Sequence, residues 1–246
     1  MAHVDKSFGG IKALDDCSMT VDKGSITGLI GPNGAGKTTL FDIISGFQQP
    51  LSGSIVFNQK RIDRLEAYKI SQSGLSRTFQ IPREFRRMTV LENLLAAAKR
   101  NPGENLGKVL FRRNQIQRFE HEISERAISI LDFVSLIKLK NEYAGNLSSG
   151  QKKLLELGRA LATNPSLLLL DEPTAGVNPT LARELMNMIR KLRDQGMTFF
   201  VIEHNMSVMQ QLCDVVYAMD KGSVIARCAP DAIRNDKRIV ESFLGA

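Results

Sequence analysis

The spacing of apolar and polar positions changes several times along this chain, and each change marks an element. Short apolar runs between Gly turns, SMTVDKG, SITGLIG and GSIVFNQK, predict strands of a sheet over the first quarter. From about Glu84 to Asn146 the period lengthens. VLENLLAAAKR and RAISILDFVSLIKL carry apolar residues three and four apart, the spacing of one helix face, and predict an all-helical insert. After Pro165, SLLLLDEP is a continuous apolar run closed by two acids. LARELMNMIRKLRDQG then repeats at helical period, and MTFFVIEH is a second continuous run. Strand, helix, strand with both strands apolar throughout predicts parallel pairing in a buried sheet. DVVYAMD and GSVIARC, on either side of Lys221-Gly222, predict a hairpin.

Composition narrows the class without choosing a function. The chain has 246 residues, 43% hydrophobic and 24% charged, which suits a globular protein with a sizeable core and excludes a disordered or low-complexity one. No apolar run approaches the roughly 18 to 20 residues needed to cross a bilayer. MAHVDKSFGG lacks the apolar core of a signal peptide, so the expectation is a cytosolic chain. Cys17, Cys213 and Cys228 show no CxxC spacing and read as packing residues in a reducing compartment. A formal charge of +7 points to an anionic partner, but nucleic acid, nucleotide phosphate and anionic lipid all qualify. The densest basic stretch, AAKRNPGENLGKVLFRRNQIQRFE, mixes Lys99, Arg100, Lys108, Arg112, Arg113 and Arg118 with acids. It reads as a solvated helical face rather than a nucleic-acid groove.

The chemistry begins at GLIGPNGAGKTTL. Gly31, Pro32, Asn33, Gly34, Ala35, Gly36, Lys37 and Thr38 stand in GxxxxGK[ST] spacing, between an apolar strand and the helix KTTLFDIISGF. The glycines let successive N–H groups curl toward phosphate oxygens, and the helix N-terminus adds its partial positive charge. Lys37 is placed to reach the β- and γ-phosphates, Thr38 to offer a hydroxyl to Mg2+, and Thr39 to bond the α-phosphate. Asp171, at the end of LLLL, can hold a water of the Mg2+ shell, leaving Glu172 to take the proton of an attacking water. His204 ends the second buried strand, so the same sheet edge should present it to the γ-phosphate or the water. Gln80, in SRTFQIPREF, sits where sheet texture gives way to helix, and its amide can touch Mg2+ and a moving segment. GNLSSGQKK, residues 145 to 153, carries no acid or nucleophile. Ser148 and Gln151 fit a capping box at a helix start.

Taken in order, GPNGAGKTT, RTFQ, LSSGQ, LLLLDEP, GVNP and IEH resemble the nucleotide-binding subunit of an ATP-binding cassette (ABC) transporter over nearly the whole chain. The resemblance implies an α/β fold: a RecA-like P-loop core with an antiparallel β subdomain, over 1–83 and 150–246, and an all-helical signature subdomain over 84–149. It implies ATP and Mg2+ as ligands, with Thr38, Gln80 and Asp171 toward the metal and Glu172 and His204 as the catalytic pair. Phe8 matches the aromatic that stacks on adenine, GVNP the D-loop, and Ser148, Ser149, Gly150 and Gln151 the half-site lent to the ATP of a second subunit. Ser149 replaces the Gly of the usual LSGGQ, and Asn178 stands where Asp is usual.

SRTFQIPREFRRMTVLENLL, VIEHNM and IVESFLGA look like the ATPase of importers for branched-chain amino acids and related amides, with a similar core in lipopolysaccharide export. The partners implied are a second ABC ATPase, identical or paralogous, two transmembrane permease subunits and, indirectly, a periplasmic solute-binding protein, at the inner face of the membrane. Nucleic acid is not expected. A nonmembrane ABC protein acting on ribosomes or DNA usually carries two cassettes or a long coiled-coil insertion, and a binding module that only holds ATP does not need Glu172 and His204.

Overall fold

The computed structural model describes residues 1–78, 84–98 and 113–244. In chain order the elements are β1 (Ala2–Phe8), β2 (Ile11–Cys17), β3 (Ile26–Ile30), α1 (Lys37–Ile44), β4 (Ser52–Ser54), β5 (Val56–Phe57), β6 (Lys60–Arg61), α2 (Ala67–Ser73) and β7 (Leu75–Arg77). There follow α3 (Val90–Ala97), α4 (Arg113–Phe133), α5 (Ser149–Ala162), β8 (Leu167–Asp171), α6 (Pro179–Asp194), β9 (Thr198–Ile202), α7 (Met206–Leu212), β10 (Val215–Asp220), β11 (Ser223–Cys228) and α8 (Lys237–Leu244). The chain divides into two compact units, residues 1–77, 166–174 and 189–246 in the first, and 78–165 with 175–188 in the second.

The first unit is organised by a six-stranded sheet of order β11-β10-β3-β9-β8-β7. All neighbours run parallel except the β10–β11 hairpin. Every residue of β3, β8 and β9 is buried, as the continuous apolar runs predict for strands covered on both faces. Below them Phe41 of α1 meets Phe200 of β9, ring centroids 5.0 Å apart and tilted. Leu14, Leu29, Leu40, Leu169 and Phe200 belong to the same buried cluster, and each such side chain contributes roughly 1.5–3 kcal/mol by leaving water. At the hairpin turn both Lys221 (φ 46°) and Gly222 (φ 87°) are left-handed, the geometry a two-residue loop needs to match strand twist. Cys17 and Cys213 are buried free thiols that burial pushes up to about 12, and Cys228 is half-buried.

The antiparallel part of this unit differs from the sequence reading. SMTVDKG forms no strand. Its end closes a turn in which Ser25 N–H donates to Asp22 O (3.2 Å). The strands are instead β1 and β2, paired through Phe8 and Ile11 around Gly9-Gly10, with β4 on the other side of β1. GSIVFNQK is split among β4, β5 and β6.

The second unit is helical. α3 and α5 each start on a capping box, Thr89 with Glu92 and Ser148 with Gln151, which satisfies N–H groups that a helix start otherwise leaves orphaned. α3, α4 and α5 meet at Gly158, where a Cβ would lie 3.5–3.7 Å from Ile130, Val134 and Leu94 side chains. That packing places α5 in the helical unit, which takes in residues 78–165 and 175–188, whereas the sequence texture is helical from about Glu84 to Asn146 and the resemblance implies a helical subdomain over 84–149. Among the described residues no helix is long and apolar enough to cross a membrane.

Candidate active site

Parallel pairing brings three strand ends to one edge of the first unit. The phosphate loop follows β3, Asp171 ends β8 opposite Ile202 of β9, and His204 lies two residues beyond β9. Two glycines allow the loop its shape. A Cβ on Gly31 would sit 2.3 Å from Met219 O, and one on Gly36 2.5 Å from Ala13 O. Gly36 (φ 97°) is also the N-cap of α1. No side chain caps this helix and its first turn holds no acid, so its N–H groups are presented to an external anion.

Lys37 is the first residue of α1 and only 6% exposed. Its ammonium donates to Gly31 O and Pro32 O, both at 2.8 Å, holding the charge inside the curl of the loop. Burial lowers its pKa from the ordinary lysine value, while Glu172 and Asp171 pull the other way. Thr38 is exposed and Thr39 half-buried.

The acids are held differently. Asp171 is 5% exposed, and its Oδ2 accepts from Arg77 Nη2 at 3.0 Å. The same guanidinium donates from Nη1 to Asp42 Oδ1 (2.5 Å) and lies 5.6 Å from the Phe41 ring centroid. Arg77 thereby joins β7, α1 and β8. Glu172 is left-handed (φ 48°), a costly conformation for a residue with a Cβ. Its N–H donates to Ile202 O (3.0 Å), and its Oε1 lies 2.7 Å from His204 Nε2. That contact puts an imidazole nitrogen in hydrogen-bond reach of the carboxylate and fixes where the carboxylate lies.

The structure therefore gathers Gly31 to Thr39, Asp171, Glu172 and His204 in one place. Phe8, at the end of β1, is half-exposed, with Lys6 Nζ 5.2 Å from its ring centroid. Gln80 lies outside the described residues. Ser148, Ser149, Gly150 and Gln151 belong to the second unit. Ser148 Oγ accepts the Gln151 N–H (3.2 Å), Gln151 Oε1 accepts the Ser148 N–H (2.9 Å), and both serines are exposed. Asn178 caps α6, its Oδ1 accepting the Leu181 N–H at 2.9 Å, a task Asp would perform equally. Sequence reasoning misses Arg77 and the buried Glu203. The available signals are an Arg just before TFQ and an acid closing an otherwise apolar strand.

A phosphate loop, a lysine buried within it and two acids at the next strand end but one define a P-loop nucleotide hydrolase site. The sequence profile of the ABC transporter family matches residues 14–175. Similar proteins include the probable branched-chain amino acid transport ATP-binding protein LivG of Methanocaldococcus jannaschii, 42% identical over 99% of this chain and 95% of that protein. The high-affinity branched-chain amino acid transport ATP-binding protein LivG of Escherichia coli K12 is 36% identical over 97% and 94%. Among solved structures, a nucleotide-free ATP-binding cassette from an ABC transporter matches with a TM-score of 0.86 at 40% identity, covering 100% of this chain and 98% of that one. A cassette in its ADP conformation gives 0.86 at 40%, covering 100% and 97%. The chain belongs to the ABC transporter family. It is the ATP-binding subunit of such a transporter, an ATP hydrolase coupled to transport.

Proposed function

We propose that this subunit powers the uptake of branched-chain amino acids or related amides, pairing head to tail with a second cassette on two molecules of MgATP. It would work at the inner face of the cell membrane beneath two permease subunits supplied by a periplasmic solute-binding protein. The observation that carries the hydrolytic reading is the 2.7 Å contact between Glu172 and His204 at the sheet edge that holds the phosphate loop. The solute class rests on the near full-length similarity to branched-chain amino acid transport ATP-binding proteins.

In this mechanism the Lys37 ammonium exchanges the carbonyls of Gly31 and Pro32 for the β- and γ-phosphates, and the N–H groups of the loop and of α1 take the remaining oxygens. Glu172 accepts the proton of the attacking water while His204 holds the carboxylate in place. The Thr38 hydroxyl and the Asp171 carboxylate, with Gln80, are the hard oxygen donors that suit Mg2+, whose charge would neutralise the β- and γ-oxygens. Phe8 supplies a face for adenine. Ser148, Ser149 and Gly150, at a helix N-terminus, serve the γ-phosphate on the other cassette, and the capping box leaves the Ser149 hydroxyl to do so.

The test combines two variants. Glu172→Gln should bind ATP normally but lose roughly a hundredfold or more in turnover, the scale of removing a positioned base, and should accumulate an ATP-dependent dimer on gel filtration. Adding Ser148→Arg should abolish that dimer while each monomer still binds ATP. An undiminished dimer in the double variant, with its melting curve intact, would reduce LSSGQ to a helix cap. Vesicles containing the two permease subunits and the solute-binding protein, offered leucine and urea, would then decide the solute.

A further inference from the structure

Glu203 is a carboxylate at 3% exposure, placed between the end of β9 and His204, and the hydrolytic cycle above gives it no task. Its Oε1 accepts two donors from one residue, the Thr174 N–H at 2.9 Å and the Thr174 hydroxyl at 2.6 Å. Its own N–H points to Leu29 O of β3 at 3.4 Å. Thr174 is two residues beyond Glu172, whose left-handed backbone persists only if its surroundings hold it. The holding groups lie on both sides. Asp171 is fixed by Arg77, the Glu172 N–H by Ile202 O, and the chain after Glu172 by Glu203. Two donors from one residue converge on one carboxylate oxygen, so this last tether fixes both the backbone and the side chain of Thr174.

We propose that Glu203 is a positioning residue for ATP hydrolysis: by gripping Thr174 it fixes the strained Glu172 peptide and keeps the Glu172 carboxylate on His204. The same short segment, Ile202 to His204, then supplies the backbone acceptor, the side-chain tether and the imidazole that together orient the base. The proposal rests on Glu172 being that base. Its consequence is a defect in turnover without a defect in nucleotide binding, because no atom of Glu203 or Thr174 belongs to the phosphate loop.

Purified full-length variants test this through kcat, KM and equilibrium MgATP binding, with melting curves to count folded protein. Glu203→Ala should lower kcat roughly tenfold to a hundredfold, the scale of misplacing a reacting group by about an ångström, and leave ATP affinity unchanged. Glu203→Gln keeps a carbonyl acceptor and should recover most of the rate. Thr174→Val preserves side-chain shape and removes the hydroxyl donor, so it should show a smaller loss of the same kind even if Glu203→Ala folds poorly. In a Glu172→Gln background, Glu203→Ala should cause no further fall in the residual rate, because nothing is left to position. Lower melting temperatures with an unchanged kcat would overturn the proposal, as would equal losses in kcat and ATP affinity. Full turnover by Glu172→Gln alone would instead remove the base itself, an outcome separate from a failure of Glu203 to matter.

Discussion

Replacing Arg77 with methionine removes the guanidinium that joins three elements of the first unit while filling the space of its stem. The side chain is 6% exposed, as is that of Asp171, whereas Asp42 is 35% exposed. Breaking a buried pair costs about 3–5 kcal/mol because the surviving charge is stranded. Asp42 regains water, so the lower figure, about 3 kcal/mol, applies. Loss of the contact with Phe41 adds roughly 0.5–1 kcal/mol. In a chain of this size each kcal/mol shifts the melting temperature by about 2–4 °C, so Arg77→Met should melt roughly 7–16 °C lower. Arg77→Lys keeps the charge but cannot fork between two carboxylates, and should lose about half as much. The functional signature lies in nucleotide affinity with and without metal. Asp171 released from Arg77 should change the affinity for MgATP, while ATP in EDTA, which relies on the phosphate loop, binds as before. Circular dichroism melting and titration of a fluorescent ATP analogue provide both readings. A melting shift within about 2 °C, with the ratio of the two affinities unchanged, would mean that the Arg77 pairs barely offset their own desolvation.

Two further outcomes follow from buried groups. Lys37→Ala should weaken ATP binding roughly tenfold to a hundredfold, since each hydrogen bond to a charged group is worth about 1.5–3 kcal/mol; unchanged calorimetric affinity would contradict its placement at the phosphates. Cys17 and Cys213 keep their protons to about 12 in the fold but release them near 9.0 when unfolded, so above that lower value the folded state binds more protons and stability falls as pH rises toward the upper one. Denaturant midpoints should therefore drop between neutral and strongly alkaline pH, and drop less in Cys213→Ala; equal slopes for both proteins would exclude the thiol as the cause.

Some of this architecture is legible in the sequence because its cause is local. β3, β8 and β9 are buried at every position and mostly apolar, and the chain runs from them directly into Gly31, Asp171-Glu172 and Glu203-His204, so burial and chemistry are read from neighbouring residues. The capping box at Ser148 needs only residues three apart. β1 and β2 escape notice because Val4, Leu14 and Cys17 are their fully buried residues, too few to set an alternation. Arg77 is opaque for the opposite reason, since its partners lie 35 positions before it and 94 after. Glu203 looks like a charged strand end beside a more conspicuous histidine until Thr174 is seen to fold onto it. The proposed service of LSSGQ to another cassette has no local signature at all and rests on resemblance alone.

The β10–β11 turn carries a consequence for how the chain comes to life on the ribosome. Gly222 N–H donates to Ala35 O (3.1 Å), Asp15 N–H donates to Gly222 O (3.0 Å), and the Ser223 hydroxyl donates to Asp15 O (2.8 Å). Met219 O fills the space where Gly31 lacks a side chain, and β10 is the parallel neighbour of β3. One side of the surface against which the phosphate loop is moulded, the side that faces Gly31, thus comes from the far end of the chain. A nascent polypeptide exposes Gly31 to Thr39 early, yet the strand and turn that shape them emerge only after the entire helical unit has been made. Until then the loop has Ala13 of β2 beside Gly36 but nothing in the place of Met219 beside Gly31, and the cost of closing so long a span must be met before that contact rewards it. The phosphate loop therefore takes its full shape only when the last strands of the chain dock.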